Sequence, residues 1–442
     1  MEIKELQNIM QENGVVGAGG AGFPTYAKLT DKAEIILMNC AECEPLLKLH
    51  RQLLEKHAYE IMKTFHLVAE TVGASEAVIG IKKSYVQTFK ALQQHIEEFP
   101  NMRIHLLEEV YPMGDEVVLI YEATGRVVRP GGLPIEQGVA VFNVETIYNV
   151  YRAFEKQKPV TDKYVSVVAE VSNPVTVRVP IGCTLDEVVA QAGEVTVKDP
   201  VYFVGGPMMG RIGSGSDPVT KTTNAILVLP KDHIIVAKKR RTSSIDLKRA
   251  ASICCQCNTC TDLCPRNNLG HPIDPALFMR AASNQDFRNL NPYLDASFCS
   301  SCGVCEMYSC PQSLAPRSLL ADMKAGLRKA GVRPPQGVQP KPVQPSREYR
   351  KVPEERLMAR LGLTRYDKDA PMNEMLVGVP KVKILLSQHI GAPAQAIVSV
   401  GDEVTRGQMI AKPANGLSVG IHASICGKVT EVTDRHIVIA AK

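Results

Sequence analysis

Two runs of cysteine hold the densest chemistry in the sequence. Cys254, Cys257, Cys260 and Cys264-Pro265 read C-x2-C-x2-C-x3-C-P, and Cys299, Cys302, Cys305 and Cys310-Pro311 read C-x2-C-x2-C-x4-C-P. Three thiols in consecutive x2 steps wrap a tight turn around one face of an iron–sulfur cube, and the fourth thiolate must come from elsewhere. Zinc motifs usually pair two C-x2-C units across a longer loop, so the spacing disfavours zinc. Cys255 is out of register and is not expected to be a ligand. Eight of the 13 cysteines lie in these two runs. In a reducing compartment that clustering reads as metal, not disulfides.

A second group of residues is set for binding. Gly17-Ala18-Gly19-Gly20-Ala21-Gly22-Phe23-Pro24-Thr25 satisfies G-x-G-x-x-G, but no clear strand precedes it and no acidic residue ends a second strand at the usual offset. A dinucleotide fingerprint is therefore doubtful. What survives is backbone that can approach a phosphate or a flavin ring closely, with N–H groups free to donate; a flexible surface loop is the bland alternative. Three further segments each follow an expected strand, where open α/β sheets build ligand sites. They are Asn39-Cys40-Ala41-Glu42-Cys43-Glu44-Pro45, Tyr111-Pro112-Met113-Gly114-Asp115-Glu116 and Asn143-Val144-Glu145-Thr146. Singly, Glu42 and Glu44 read as a solvated turn and Tyr111 as core. Cys40-x2-Cys43 offers half a metal site with no obvious partners nearby.

The resemblances are specific. The cysteine spacing is that of bacterial two-cluster ferredoxins, in which each last cysteine crosses to the other cluster. That implies one [4Fe–4S] cluster on Cys254, Cys257, Cys260 and Cys310 and another on Cys299, Cys302, Cys305 and Cys264. The Gly-rich run and the three segments, in order, resemble the NADH- and FMN-binding subunit of respiratory complex I. Glu42-Cys43-Glu44-Pro45 with two downstream cysteine motifs looks more like the C subunit of the Rnf complex. A β-rich unit at the C-terminus makes the whole chain most similar to the cobalamin reductases of propanediol-utilisation microcompartments. The resemblance implies that Gly17, Gly19, Gly20 and Lys28 cradle the FMN phosphate and ring, and that Asn39, Glu42, Gly114, Asn143 and Thr146 complete the flavin site. Phe23, Glu44, Tyr111 and Glu116 would hold NADH over the flavin. Ala18 stands where complex I has Arg and Ala41 where it has Asp, so some flavin hydrogen bonds are lost or replaced.

Positioning these residues calls for several units. Strands at 34–39, 77–81 and 104–107, alternating with helical spacing at 51–73 and 84–98, predict an α/β layer with a largely parallel sheet over residues 1–160. Residues 161–235 read as a small α+β unit, with a hairpin over 165–180, a helix over 185–192 and a strand from Val201. With Val204-Gly205-Gly206-Pro207-Met208-Met209-Gly210 it looks like a soluble-ligand-binding β-grasp domain, a cobalamin site or a spacer between flavin and clusters. Residues 245–330 place the cysteines on short helical pieces, a ferredoxin-like unit. The Pro-rich stretch 331–350 predicts a semi-rigid linker. Residues 351–442 read as a helix followed by a barrel–sandwich hybrid of lipoyl type. Its turn lacks a modifiable lysine, so a structural or docking role is expected.

Composition narrows the class. The chain has 442 residues, a net charge of +5, 22% charged residues and no Trp. Neither a basic face nor aromatic platforms for nucleic acid are expected. Lys238-Lys239-Arg240-Arg241 is the one dense basic run, a solvated linker or a patch for an acidic partner. No stretch approaches a membrane span and no signal peptide opens the chain. A cytoplasmic protein is expected, by resemblance inside a bacterial microcompartment with shell, enzyme or adenosyltransferase partners. The whole predicts an oxidoreductase in which NADH feeds FMN, two [4Fe–4S] clusters and then cobalamin. The alternatives are an Rnf-like subunit serving membrane partners, a microcompartment protein recycling NAD+ with another acceptor, and a ferredoxin-like wiring module without its own NADH activity.

Overall fold

The computed structural model describes residues 1–442. Its N-terminal layer is a four-stranded, all-parallel sheet in the order Met102–Leu107, Glu76–Lys82, Ile35–Cys40, Val139–Asn143. Ile35–Cys40 and Glu76–Lys82 are apolar almost without interruption because helices cover both faces of the sheet. On one face Ala58–Val72 and Val144–Glu155 bury Ile61, Phe65, Val68, Ile147 and Val150. On the other, Glu116–Thr124 buries Val117 to Ile120. The helical spacing expected over 51–73 is realised as two helices, Leu49–Lys56 and Ala58–Val72, which meet at His57. The chain order makes Ile35–Cys40 and Val139–Asn143 the neighbours between which connectivity reverses, and a crevice opens beyond their C-terminal ends.

A six-stranded mixed sheet follows, in the order Met372–Leu376, Val175–Pro180, Asp162–Ala169, Ala225–Pro230, Pro200–Val204, Arg211–Gly213. Its first strand comes from far along the chain. The unit read as 351–442 is thus divided in space: Val352–Pro353 pairs with Val110–Tyr111, and Met372–Leu376 extends this sheet in parallel with Val175–Pro180. Strands of two to five residues carry too little alternation to be seen in a sequence. The sheet is tied down at Asp162, whose fully buried carboxylate receives Arg152, Arg178 and, from the C-terminal unit, Arg406.

The cysteine region is a set of short helices around Phe278, Tyr293, Leu314 and Leu320. The Pro-rich stretch is not a free linker. Lys341 N–H donates to Gly270 O (2.8 Å) and Gln344 N–H to Asn268 O (2.9 Å), so it is strapped to the cysteine region. The basic run is solvated only in part, at the exposed Arg240. Lys238 is buried, with Nζ on Glu306 O (2.5 Å), and Lys239 Nζ donates to Gly210 O (3.0 Å). The last unit is two small sheets, a four-stranded one from Lys381–Leu385, His436–Ala441, Gly427–Val432 and Glu403–Val404 and a three-stranded one from Gln395–Ala396, Met409–Lys412 and Ile421–His422. They close on Val382, Ile384, Ile410, Ile421 and Ile437. No helix is long and apolar enough to cross a membrane.

Candidate functional site

A cavity of about 620 Å³ fills the crevice at the sheet's reversal point. Twelve of the thirteen expected cofactor residues line it: Gly17, Gly19, Gly20, Phe23, Lys28, Asn39, Glu42, Glu44, Gly114, Glu116, Asn143 and Thr146. The glycine run forms a tight loop closed by Gly17 N–H on Phe23 O (2.8 Å), with Gly20 and Gly22 in the left-handed region where a side chain would be strained. Thr146 Oγ1 accepts the buried N–H of Ala18 (2.9 Å) and so anchors the loop to the helix start. The N–H groups of Gly19, Gly20 and Ala21 find no acceptor within the chain. Lys28 Nζ, on Val141 O (2.7 Å) and 3.5 Å from Glu116, adds a cation at the rim.

The other wall residues hold one another. Asn39 donates to Gly114 O (3.0 Å) and accepts Ala41 N–H (3.1 Å). Asn143 caps Val144–Glu155 by accepting Glu145 N–H (2.9 Å). Glu42 accepts the N–H groups of His50 and Arg51 at 2.6 and 2.9 Å. Burial alone would raise its carboxyl, but His50, Arg51 and those two N–H groups outweigh it and hold it below the usual range. Glu44 accepts Met208 and Met209 N–H, both at 2.9 Å, yet burial still pushes its carboxyl up to about 7.

Tyr111, expected beside NADH, is not on the cavity wall. Its short strand is pinned against Val352–Pro353, and its buried hydroxyl donates to Cys302 O (2.6 Å), on the cluster side. Cys40 and Cys43 do not gather a metal set: burial drives both thiols up, Cys43 to about 12, and no third ligand joins them. Sequence reasoning missed His50, Thr25, Asn224 and Ile390, all on the wall. Asn224 and Ile390 come from the six-stranded and C-terminal units, and no local pattern announces them. Thr25 Oγ1 and Asn224 Oδ1 are buried without a hydrogen-bond partner, as groups awaiting a polar ligand would be. Unpartnered loop amides, orphaned polar atoms and apolar wall residues suit a phosphorylated flavin.

The eight cysteines divide into two quartets, each around its own small cavity: Cys254, Cys257, Cys260 and Cys310, and Cys264, Cys299, Cys302 and Cys305. The last cysteine of each motif crosses to the other quartet. The extra residue in the second motif is taken up by a π-helical turn, Cys305–Ser309. Cys255 also borders the first cavity and is exposed, as Cys257 is; its place outside the x2 steps is what sets it apart. No three thiols converge on a point as a single ion requires. Leu314 N–H donates to Cys310 Sγ and Ser301 N–H to Cys299 Sγ, both at 3.3 Å, and Lys324 Nζ reaches Cys299 O (3.0 Å). Donors to the sulfurs and a nearby cation suit an anionic cluster.

These features define a flavin-binding, iron–sulfur oxidoreductase of modular build. Family models agree segment by segment: the Nuo51 FMN-binding domain over residues 10–152, a 4Fe-4S dicluster domain over 253–315 and the RnfC barrel sandwich hybrid domain over 365–442. The chain is 42% identical to cobalamin reductase PduS of Salmonella typhimurium, covering 98% of this chain and 96% of that one. It is 41% identical to cobalamin reductase PduS of Citrobacter freundii, covering 99% and 97%. The chain belongs to the PduS cobalamin reductase family. A chain of an NAD+-reducing [NiFe]-hydrogenase shares the fold at TM-score 0.50 and 20% identity, over 76% of this chain and 64% of that one.

Proposed function

We propose that the chain oxidises NADH and passes the electrons through FMN and two [4Fe–4S] clusters to cobalamin. The observation that carries this reading is the meeting of twelve residues from separate segments on one cavity, with three glycine-loop amides unpartnered, beside two complete cysteine quartets. When bound, FMN exchanges a hydride with NADH and single electrons with the clusters.

The chain's own residues bind, orient and exclude water. The amides of Gly19, Gly20 and Ala21 with Lys28 would hold the phosphate, while Gly17 and Thr146 fix the loop that presents them. Asn39, Gly114 and Asn143 would line the ring, and Glu42 keeps the start of Leu49–Lys56 in place at the cavity wall. Phe23 and Glu116 would contact the nicotinamide, and Leu133, Pro134, Ile135 and Ile390 offer an apolar rim against water. No side-chain acid or base is required for hydride transfer. The 161–235 unit takes the part of a β-grasp spacer between cavity and quartets. The setting is a bacterial microcompartment, with a cobalamin-handling protein such as an adenosyltransferase receiving the product.

Anaerobic protein, reconstituted with iron, sulfide and FMN, should convert cobalamin to its reduced spectrum at the expense of NADH. If NADH reduces the protein and a ferredoxin accepts electrons while cobalamin stays oxidised, the acceptor assignment falls and the NAD+-recycling alternative stands.

A further inference from the structure

One loop joins the cavity wall to the second quartet. Residues 205–210 leave the strand Pro200–Val204, and Glu44 clamps them from the cavity side through the N–H groups of Met208 and Met209. The clamp leaves no space for a side chain at Gly206, whose Cβ would lie 2.2 Å from Glu44 Oε2. Lys239 closes the loop from the other side, with Nζ on Met208 O (3.3 Å) and Gly210 O (3.0 Å). Met208 is fully buried. Its carbonyl oxygen and Cε stand 3.5 and 3.6 Å from where a Cβ would sit on Gly303, the residue after Cys302. Tyr111 makes a second tie, from the flavin-domain side to Cys302 O. The first quartet has a different setting. Cys257 is exposed, as are Arg280, Pro311 and Gln312 on its cavity wall and Ile253 and Leu277 beside it.

We propose that the Glu44-clamped loop 206–209 is the electronic bridge from the flavin cavity to the second quartet. The cluster on Cys264, Cys299, Cys302 and Cys305 is then the entrance, and the cluster on Cys254, Cys257, Cys260 and Cys310 is the exit toward the acceptor. The inference rests on the NADH-to-cobalamin reading. Electrons balance: one NADH becomes NAD+ and gives up a hydride, which is two electrons and a proton. The electrons cross singly, each cluster carries one at a time, each cob(III)alamin takes one to become cob(II)alamin, and the proton goes to solvent. Covalent bonds and short contacts carry single-electron tunnelling better than open solvent, and Glu44, Met208 and Gly303 supply such a run from the cavity wall to the second quartet. Glu44 and Lys239 act as positioning residues for Met208.

The test uses the reconstituted full chain, rapid anaerobic mixing with NADH, visible absorbance for the flavin and freeze-quench EPR for the clusters, with iron analysis of every variant. In Met208→Ala and Lys239→Met, flavin bleaching should keep its wild-type rate while cluster reduction slows by roughly tenfold or more, as small misplacements do. In Cys257→Ser the remaining cluster should still be reduced by NADH, with onward transfer lost. In Cys302→Ser the remaining cluster should respond to dithionite but not to NADH. Unchanged cluster reduction in Met208→Ala and Lys239→Met, or the opposite pattern in the cysteine pair, overturns the bridge. If NADH fails to bleach the flavin in the wild type, it is the functional reading that fails, not the bridge alone.

Discussion

Thr146→Val isolates one hydrogen bond on which the flavin cavity depends. Valine matches threonine in shape and removes only the hydroxyl, so packing around the start of Val144–Glu155 is kept. Thr146 is 2% exposed and Ala18 is 1% exposed, so no water replaces the lost acceptor of the Ala18 N–H. An orphaned buried donor costs about 1–3 kcal/mol. Part of that cost falls on stability and part on the order of the glycine loop, which FMN must restore on binding. If half to all of it is charged to binding, FMN affinity falls by about 2- to 140-fold, at a factor of ten per 1.4 kcal/mol. Quenching of FMN fluorescence on titration into apoprotein reads the affinity, and urea denaturation reads the stability. Thr146→Ser keeps the acceptor and should stay close to wild type in both. Wild-type FMN affinity in Thr146→Val, in a folded protein, would refute the idea that this contact presents the loop amides to the phosphate.

Three other outcomes follow from the structure. Asp162→Asn removes the shared negative charge from Arg152, Arg178 and Arg406 and leaves the buried Arg152 without a counter-charge beside two part-exposed guanidinium groups, so denaturant unfolding should show a loss of about 3–5 kcal/mol. Cys310→Ser should abolish the same cluster EPR signal as Cys257→Ser, and Cys264→Ser the same one as Cys302→Ser; the converse pairing would break the crossed quartets. Glu44 has a raised folded-state pKa, so the native state holds its proton longer than the unfolded chain. The stability it contributes is full below about 4.5 and is lost as pH rises to about 7. Because Glu44 keeps some contact with the cavity, that loss should be about 1–3 kcal/mol, and the apoprotein of Glu44→Gln should lack this slope between pH 5 and 7.

Much of this was written in local patterns. The parallel strands are apolar runs, the cysteine spacing names both quartets, the glycine run stands out by composition, and its three companion segments each lie within a few residues of a strand end. What escaped was long-range. Asn224 and Ile390 reach the cavity from other units, so nothing within their own windows marks them. Tyr111 follows the expected strand, but pairing with Val352–Pro353, far along the chain, turns it toward Cys302. The basic run 238–241 has the composition of a surface, yet the carbonyl of Glu306 in the second cysteine motif claims Lys238 and those of Met208 and Gly210 claim Lys239. Charge alone could not foretell burial, because the partners are backbone oxygens.

The most direct measurement is an anaerobic NADH titration of the FMN- and iron–sulfur-replete chain, followed by visible absorbance and low-temperature EPR on the same samples. Bleaching of a flavin band together with the growth of two reduced-cluster signals is the predicted result. A protein whose clusters respond to dithionite but which binds no flavin, or whose flavin NADH leaves untouched, contradicts the account.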